Sequence, residues 1–458
     1  MYQFSGKLKT FSIALIILGA IGIAIGFLNA PSTIEEAKEI IAHQTSHGDV
    51  HGADHNEVSG NHHTSKEHHD AAHDEHVFHQ LQNKPWAAVY VALFFFLGIT
   101  LLVLAFYAIQ RVAQAGWSVV LFRVMEAITA NLVPTSIVML FIIISAVMHM
   151  NHLFPWMAEG TFTVGHENYD AIVAGKSWWM NVPGWAIRSI FYLAVWNLYR
   201  WFIRKNSKKE DTANDNGKTY KLNYNVSVVF IFLFMITESM MSWDWIMGLD
   251  PHWFSTLFGW YVLASLLVSA VTVIAFVTIY LRSKGALPGV NDSHIHDLAK
   301  FMFGFSVFWT YLWFSQFMLI WYADIPEEGV YFVQRFTEYK EPFLAMVVMN
   351  FVFPILVLLN SDFKSIPWFV YIGGVVILVG HYIDVFVMIM PATVGAQWSF
   401  GIPEISALLF FIGIFIYATF SAFEKANPIA KGNPFLGESE HFHYYNIEHR
   451  GEGSTDHH

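Results

Sequence analysis

Cysteine is absent from this 458-residue chain. That excludes disulfides, thiolate-held iron–sulfur clusters, haem attached through CxxCH, and any cysteine nucleophile or cysteine zinc site. Charge is scarce: Asp, Glu, Lys and Arg make up 13% of the residues, about half the share of a soluble domain and too little to wet a water-soluble surface. The long apolar runs do not alternate with period two, so membrane-barrel strands are excluded. What is abundant is apolar. The chain is 55% hydrophobic with a mean hydropathy of +0.42, and such runs exclude disorder over most of its length. The net charge of −11 sits largely in loops, and it gives no nucleic-acid footprint.

A bilayer core of about 30 Å is crossed by about 20 apolar residues as a helix. Ten segments qualify: 9–29, 85–110, 121–148, 183–203, 224–243, 257–281, 298–322, 342–361, 366–390 and 402–423. With the N-terminus inside, eighteen of the 25 Lys and Arg residues fall on inner segments and six on outer ones, Arg188 lying inside the fourth span. This bias places both termini in the cytoplasm. The expected fold class is therefore an all-α polytopic membrane protein with ten transmembrane helices. The first span (residues 1–30) is read as retained, because its apolar run is long for a cleaved signal ending near Ala30.

Residues 31–84 form the first outer loop, with eleven histidines from His43 to His79 and a short helix expected at Ile34–Ile41. No metal-ligand spacing such as HExxH occurs there, so it is read as a disordered hydrophilic linker. The 204–221 loop, RKNSKKEDTANDNGKTYK, reads as a basic turn at an anionic membrane face. Residues 85–425 form the nine-helix membrane domain, and 426–458 a polar cytoplasmic tail.

Ionisable residues inside spans are costly and are functional candidates by default. Glu238 lies about 21 Å from the inner edge of span five at 1.5 Å per residue. His381 and Asp384 on span nine lie at similar height, three residues apart, and so share a face. Arg188 reaches the same layer from the outer end of span four. Together they read as an outer proton relay, His381 exchanging protons near neutral pH and Arg188 tuning the carboxylates. On the inner side stand Arg123, Glu126, Asp297 and Lys300; Arg123 and Glu126 have the spacing of a simple pair. The bland alternatives are a packing ion pair between Arg188 and Glu238, and helix-joining amides at Asn197, Gln316 and Asn350. Bis-histidine haem ligation has one conceivable pair, His149 with His381, without the repeated pair that two haems need.

Residues 238–262, ESMMSWDWIMGLDPHWFSTLFGWYV, make an outer turn. Asp250-Pro251 stops a helix, Ser255 or Thr256 is placed to cap the next, and Trp243, Trp245, Trp253 and Trp260 sit at aromatic-belt depth. Asp244, Asp250 and His252 line the outer side. This turn, with its SxD…WxSTxF pattern at Ser242, Asp244, Trp253, Ser255, Thr256 and Phe258, resembles the NrfD-like (polysulfide reductase membrane subunit) family. The stretch DLAKFMFGFSVFWTYLWFSQFMLIWYADIPEE, residues 297–328, more specifically resembles the ActF subunits of bacterial alternative complex III, a quinol:cytochrome c oxidoreductase.

The resemblance covers roughly residues 85–425. It implies two four-helix bundles, spans two to five and six to nine, with spans one and ten peripheral. It also implies a bacterial inner-membrane subunit that binds no redox cofactor itself. Iron–sulfur clusters and c-type haems are then expected in partners: an iron–sulfur subunit, multihaem cytochrome c subunits and a homologous NrfD-like subunit that holds quinol from the quinone pool. This chain departs from the quinol-binding members, which carry a His–Thr pair upstream of the Asp where this chain has Glu238 and Ser239.

The expected role is anchoring, with proton conduction through Glu238, His381 and Asp384, an inner mouth at Asp297 and Lys300, and a quinone pocket at Asp244, Asp250 and His252. Two other classes fit the same letters. A stand-alone transporter or channel would use a broken helix such as that invited by Pro354. A purely structural anchor would hold all its polar groups in static pairs.

Overall fold

The computed structural model describes residues 2–46, 63–213 and 215–444. Its helices are α1 (Gly6–Leu28), α2 (Ile34–Ser46), α3 (His63–Val112), α4 (Phe122–Ile128), α5 (Leu132–Val147), α6 (Ala171–Gly175), α7 (Val182–Glu210), α8 (Lys218–Trp245) and α9 (Phe258–Ser283). They continue with α10 (Asp292–Ala323), α11 (Pro326–Thr337), α12 (Lys340–Val347), α13 (Phe353–Leu358), α14 (Ser361–Lys364), α15 (Pro367–Thr393), α16 (Ile402–Glu424) and α17 (Leu436–Glu440). No strand occurs among the described residues.

Nine helical segments among the described residues are long and apolar enough to cross a membrane: α1, α3 from Val77, α4 with α5, α8, α9, α10, α12 with α13, α15 and α16. The protein is a multi-pass helical membrane protein. The expected span 183–203 lies within α7, a continuous helix of 29 residues. Its Trp, Tyr, Asn and Arg residues make it less apolar than the other nine. Pro183 in its first turn and Asn181, whose side chain accepts from the Gly184 N–H, start it.

Two expectations are corrected here. Within the stretch 31–84 the described residues are helical from Ile34: α2 extends to Ser46 and α3 begins at His63. Lys38 on α2 pairs with Asp74 on α3 at 2.7 Å, and Ala37, Val77 and Leu81 form a small separate apolar cluster. Residues 47–62 of the histidine-rich stretch lie outside the described residues. The second correction concerns α9. Neither Ser255 nor Thr256 caps it; Leu257 is the first flanking residue, with no side-chain cap bond.

α3 is the axis of packing, touching α5, α8, α9, α15 and α16. Its membrane segment is almost wholly buried within the chain. α5 packs on α7 and α7 on α8; α9 packs on α10 and α15, and α15 on α12 and α13. α1 is different, because its only extensive partner is α16. A stripe of Gly19, Gly22 and Gly26 lets the two backbones close up, as small residues do in lipid. A Cβ at Gly19 would stand 2.5 Å from the Phe410 backbone nitrogen. Gly19→Leu should therefore lower stability by about 1–3 kcal/mol, read as an earlier detergent melt. An unchanged melt would show that α1 does not depend on this contact.

The residues before α1 meet the end of α16. The Phe4 N–H donates to Glu424 Oε1 at 3.1 Å, and the rings of Tyr2 and Phe4 pack edge-on or tilted against Tyr417, Phe420 and Phe423. The tail then runs beneath the helices, with Ser439 bonded to Trp117 and Val120 and Asn291 donating to the Phe442 carbonyl.

Candidate functional site

The deepest polar cluster surrounds Asp384, which is fully buried. Three donors from two other helices converge on its carboxylate. Tyr261 on α9 donates its hydroxyl to Oδ1, Ser265 donates to Oδ2 at 2.7 Å, and Trp309 Nε1 on α10 donates to Oδ2 at 2.8 Å. His381 shares the α15 face as its spacing requires, but its Nδ1 is 3.7 Å from Oδ2, beyond hydrogen-bond reach. Ser265 bridges the two, lying 3.0 Å from His381 Nδ1. Its hydroxyl donates to Asp384, and its oxygen faces His381 Nδ1. His381 Nε2 is buried without a hydrogen-bond partner.

Asn350 completes the cluster for a local reason. Pro354 has no N–H, and its ring crowds the carbonyl four residues back, which belongs to Asn350. The backbone widens to a π turn over Val348–Val352, a distortion frequent at functional sites. Asn350 Nδ2 then stands 3.5 Å from His381 Nδ1, while its Oδ1 stays buried and unpartnered. Gly380 makes room: a Cβ there would lie 2.1 Å from Asn350 Oδ1.

Along α10 one buried face carries Ser306, Trp309 and Gln316, while Asp297, also buried, lies half a turn round the helix from Ser306. Asp297 Oδ1 pairs with Lys300 at 2.6 Å and accepts from the Tyr444 hydroxyl at 2.8 Å, so the tail covers this inner position. Ser306 Oγ and Gln316 Nε2 are buried without partners. Nine residues separate Asp297 from Ser306, about 14 Å of helix, so water would have to bridge them.

Glu238 and Arg188 do not join this cluster. Glu238 is buried on α8 with Oε1 unpartnered, and it forms no ion pair among the described residues. Ser239 and Ser242, one turn on, pack against Gly259 of α9, so Glu238 lies at the depth of Tyr261. Arg188 instead grips Asp244 in a two-pronged pair, Nε to Oδ2 at 2.8 Å and Nη2 to Oδ1 at 2.7 Å. Tyr192 also donates to Asp244 Oδ2, and Trp179 lies under the guanidinium at 4.2 Å.

Asp244 and Arg188 form one wall of a cavity of about 310 Å³ lined by Trp156, Trp178, Trp179, Trp185, Trp243 and Trp253. The indole N–H groups of Trp156, Trp243 and Trp253 are buried and unpartnered. Lys176 also lines it, donating to the Pro251 carbonyl at 2.7 Å. Burial pushes the Lys176 pKa down, and Asp250 and Asp170 oppose this. The expected grouping of Asp244 with Asp250 and His252 is corrected. Those two line a separate outer cavity of about 780 Å³, and His252 pairs with Asp170 at 2.6 Å. The reason is Pro251, which turns the chain and belongs to both walls. The His152 ring lies 4.6 Å from that of His79 there, tilted by 37°. Burial, with the imidazoles of His79 and His149, holds the His152 pKa below its usual range. His149 is exposed, far from the buried setting of His381.

The inner pair Arg123–Glu126, at 2.7 Å, belongs to a larger buried network. Glu126 also receives Arg204, Ser207 and Tyr107, and Arg123 reaches Asp211 at 2.5 Å. Arg111 bonds Tyr107 at 2.7 Å and Glu210 at 3.1 Å. Three guanidiniums thus face three carboxylates.

Sequence reasoning missed Tyr261, Ser265 and Trp309. It also missed the indole cavity and the roles of Arg111, Glu210 and Asp211. Trp-rich loops at 156, 178–179 and 243–253 were the one available signal for the cavity. Compared with known protein families and with curated proteins, the chain matches none.

Proposed function

We propose that this chain is a membrane subunit of a quinol:cytochrome c oxidoreductase of the alternative complex III type. In this reading it anchors the complex and passes protons, with iron–sulfur and haem centres in its partners. The observation that carries the reading is the Asp384–Ser265–His381 cluster. It is a fully buried carboxylate and imidazole joined through one hydroxyl, enclosed by α9, α10 and α15. Such a chain can move a proton when water reaches His381 Nε2.

Ten crossings are supported by topology. The start of α1 and the end of α16 lie side by side, which favours an even number of crossings, and α7 is long enough to be the tenth at about 44 Å. The packing of α3, α5, α7 and α8 on one side and α9, α10, α12, α13 and α15 on the other supports two bundles, with α1 and α16 outside them. The basic residues of the 204–221 turn support a cytoplasmic face there.

The indole cavity is the candidate quinone position. Its size suits a small ligand, and its free groups are donors, suited to the carbonyl oxygens of an oxidised quinone. Asp244 is already occupied by Arg188 and Tyr192, so this cavity lacks the free acceptor that quinol oxidation needs. Quinol oxidation is accordingly assigned to a partner.

A stand-alone transporter is the second reading, favoured by the broken helix at Val348–Val352. Extraction in mild detergent separates the two. The expected result is co-migration with polypeptides that contain c-type haem and non-haem iron. A monodisperse single chain with transport activity would end the first reading.

A further inference from the structure

The groove between α7 and α16 ends in cations that the chain does not fully neutralise. Its floor is α5, where Val133, Ile137, Phe141 and Ile144 are 40%, 62%, 55% and 55% exposed and fall on one stripe at helical spacing. Its walls are tied to that floor. Asn197 on α7 donates to Ser136 Oγ at 2.8 Å, and Asn131 donates to Thr419 Oγ1 on α16 at 2.8 Å.

At the inner end, Arg200, Arg204 and Lys208 stand one turn apart on α7, and Lys425 follows α16 directly. Arg204 reaches across to the Ala422 carbonyl at 3.1 Å, and Lys208 to the Lys425 carbonyl at 3.4 Å. Glu126 is the carboxylate that Arg204 contacts, and it is shared with Arg123. Arg200 makes no ion pair among the described residues, and its Nε is buried without a hydrogen-bond partner. It lies about 27 Å along α7 from the outer end, just inside the inner edge of a hydrocarbon core of about 30 Å, from which a long arginine side chain reaches the inner-leaflet phosphates.

We propose that this groove holds one inner-leaflet anionic phospholipid. The phosphodiester is held by Arg200 and Lys208, Arg204 and Lys425 add to the positive field, and an acyl chain lies along Val133, Ile137 and Phe141. Charge complementarity selects an anionic headgroup, and the exposed α5 stripe selects a lipid over a free anion. The inference is independent of any redox partner.

The test is native mass spectrometry of the chain, with whatever co-purifies, released from nanodiscs of phosphatidylglycerol and phosphatidylcholine. One retained phosphatidylglycerol is expected, with no comparable retention of phosphatidylcholine. Arg200→Gln and Lys208→Gln should each weaken retention about fivefold. Arg282→Gln, which breaks the exposed pair with Asp292 elsewhere on this face, should leave retention unchanged. Lys208 is exposed, so its variant decides the matter even if the Arg200 variant misfolds. Equal retention of both lipids, unchanged retention in the Lys208 variant, or displacement by millimolar inorganic phosphate would each overturn the proposal.

Discussion

Glu126→Gln should lower the stability of the folded chain by about 3–5 kcal/mol, the usual cost of leaving a buried charge without its partner. Glu126 is 2% exposed and Arg123 1%. The glutamine keeps the shape and can still bond Tyr107 and Ser207. It cannot neutralise Arg123 and Arg204, so a network of three cations and three anions becomes one with a surplus cation. The network ties α3, α4 and α7 together and reaches the tail through Asp211 and Gly432, so the effect should spread beyond one helix. The measurement is thermal unfolding in detergent beside Arg282→Gln, whose exposed pair is worth at most about 1 kcal/mol. Equal melting of the two variants would refute a structural role for the network.

Asp384→Asn should leave the protein folded but cut proton release coupled to quinol oxidation by about a hundredfold, the lower range for loss of a positioned acid–base group. Asparagine preserves volume, and its amide oxygen still accepts from Trp309 or Ser265. It cannot take up and release the proton that Ser265 links to His381. Proton release and electron transfer are measured together, in the complex reconstituted into liposomes. Asp250→Asn, in the outer loop, is the control and should stay near wild type. Full proton release in Asp384→Asn would remove the relay and favour the static anchor.

The helices were legible because lipid imposes one rule, about 20 apolar residues per crossing. The stretch 183–203 is helical too, within α7, although Arg188 and Arg200 dilute its apolar character. Local pairing was legible where helical spacing enforces it, as at Arg123–Glu126 and at the shared face of His381 and Asp384. It failed where a partner comes from another helix. Arg188 looks placed for Glu238 by depth, yet helix rotation aims it at Asp244, 56 residues away. Ser265 and Tyr261 read as ordinary apolar-helix residues until α15 is packed against α9. The turn at 238–262 revealed its tryptophans but not that Pro251 divides Asp244 from Asp250 and His252. α11 escaped notice because its apolar residues lie flat: Val330 and Val333 are about 60% exposed, as expected of a helix resting in the interface.

The central position of α3 bears on how the molecule could move. One helix is wedged against α5 and α8 on one flank and against α9 and α15 on the other. Any cycle that rocked the halves as rigid bodies would have to unpack that entire seam, and dense helix packing resists gradual deformation. A proton relay of the kind proposed would then work by small events, rotamer changes and the arrival of single waters, while the helices themselves stay still.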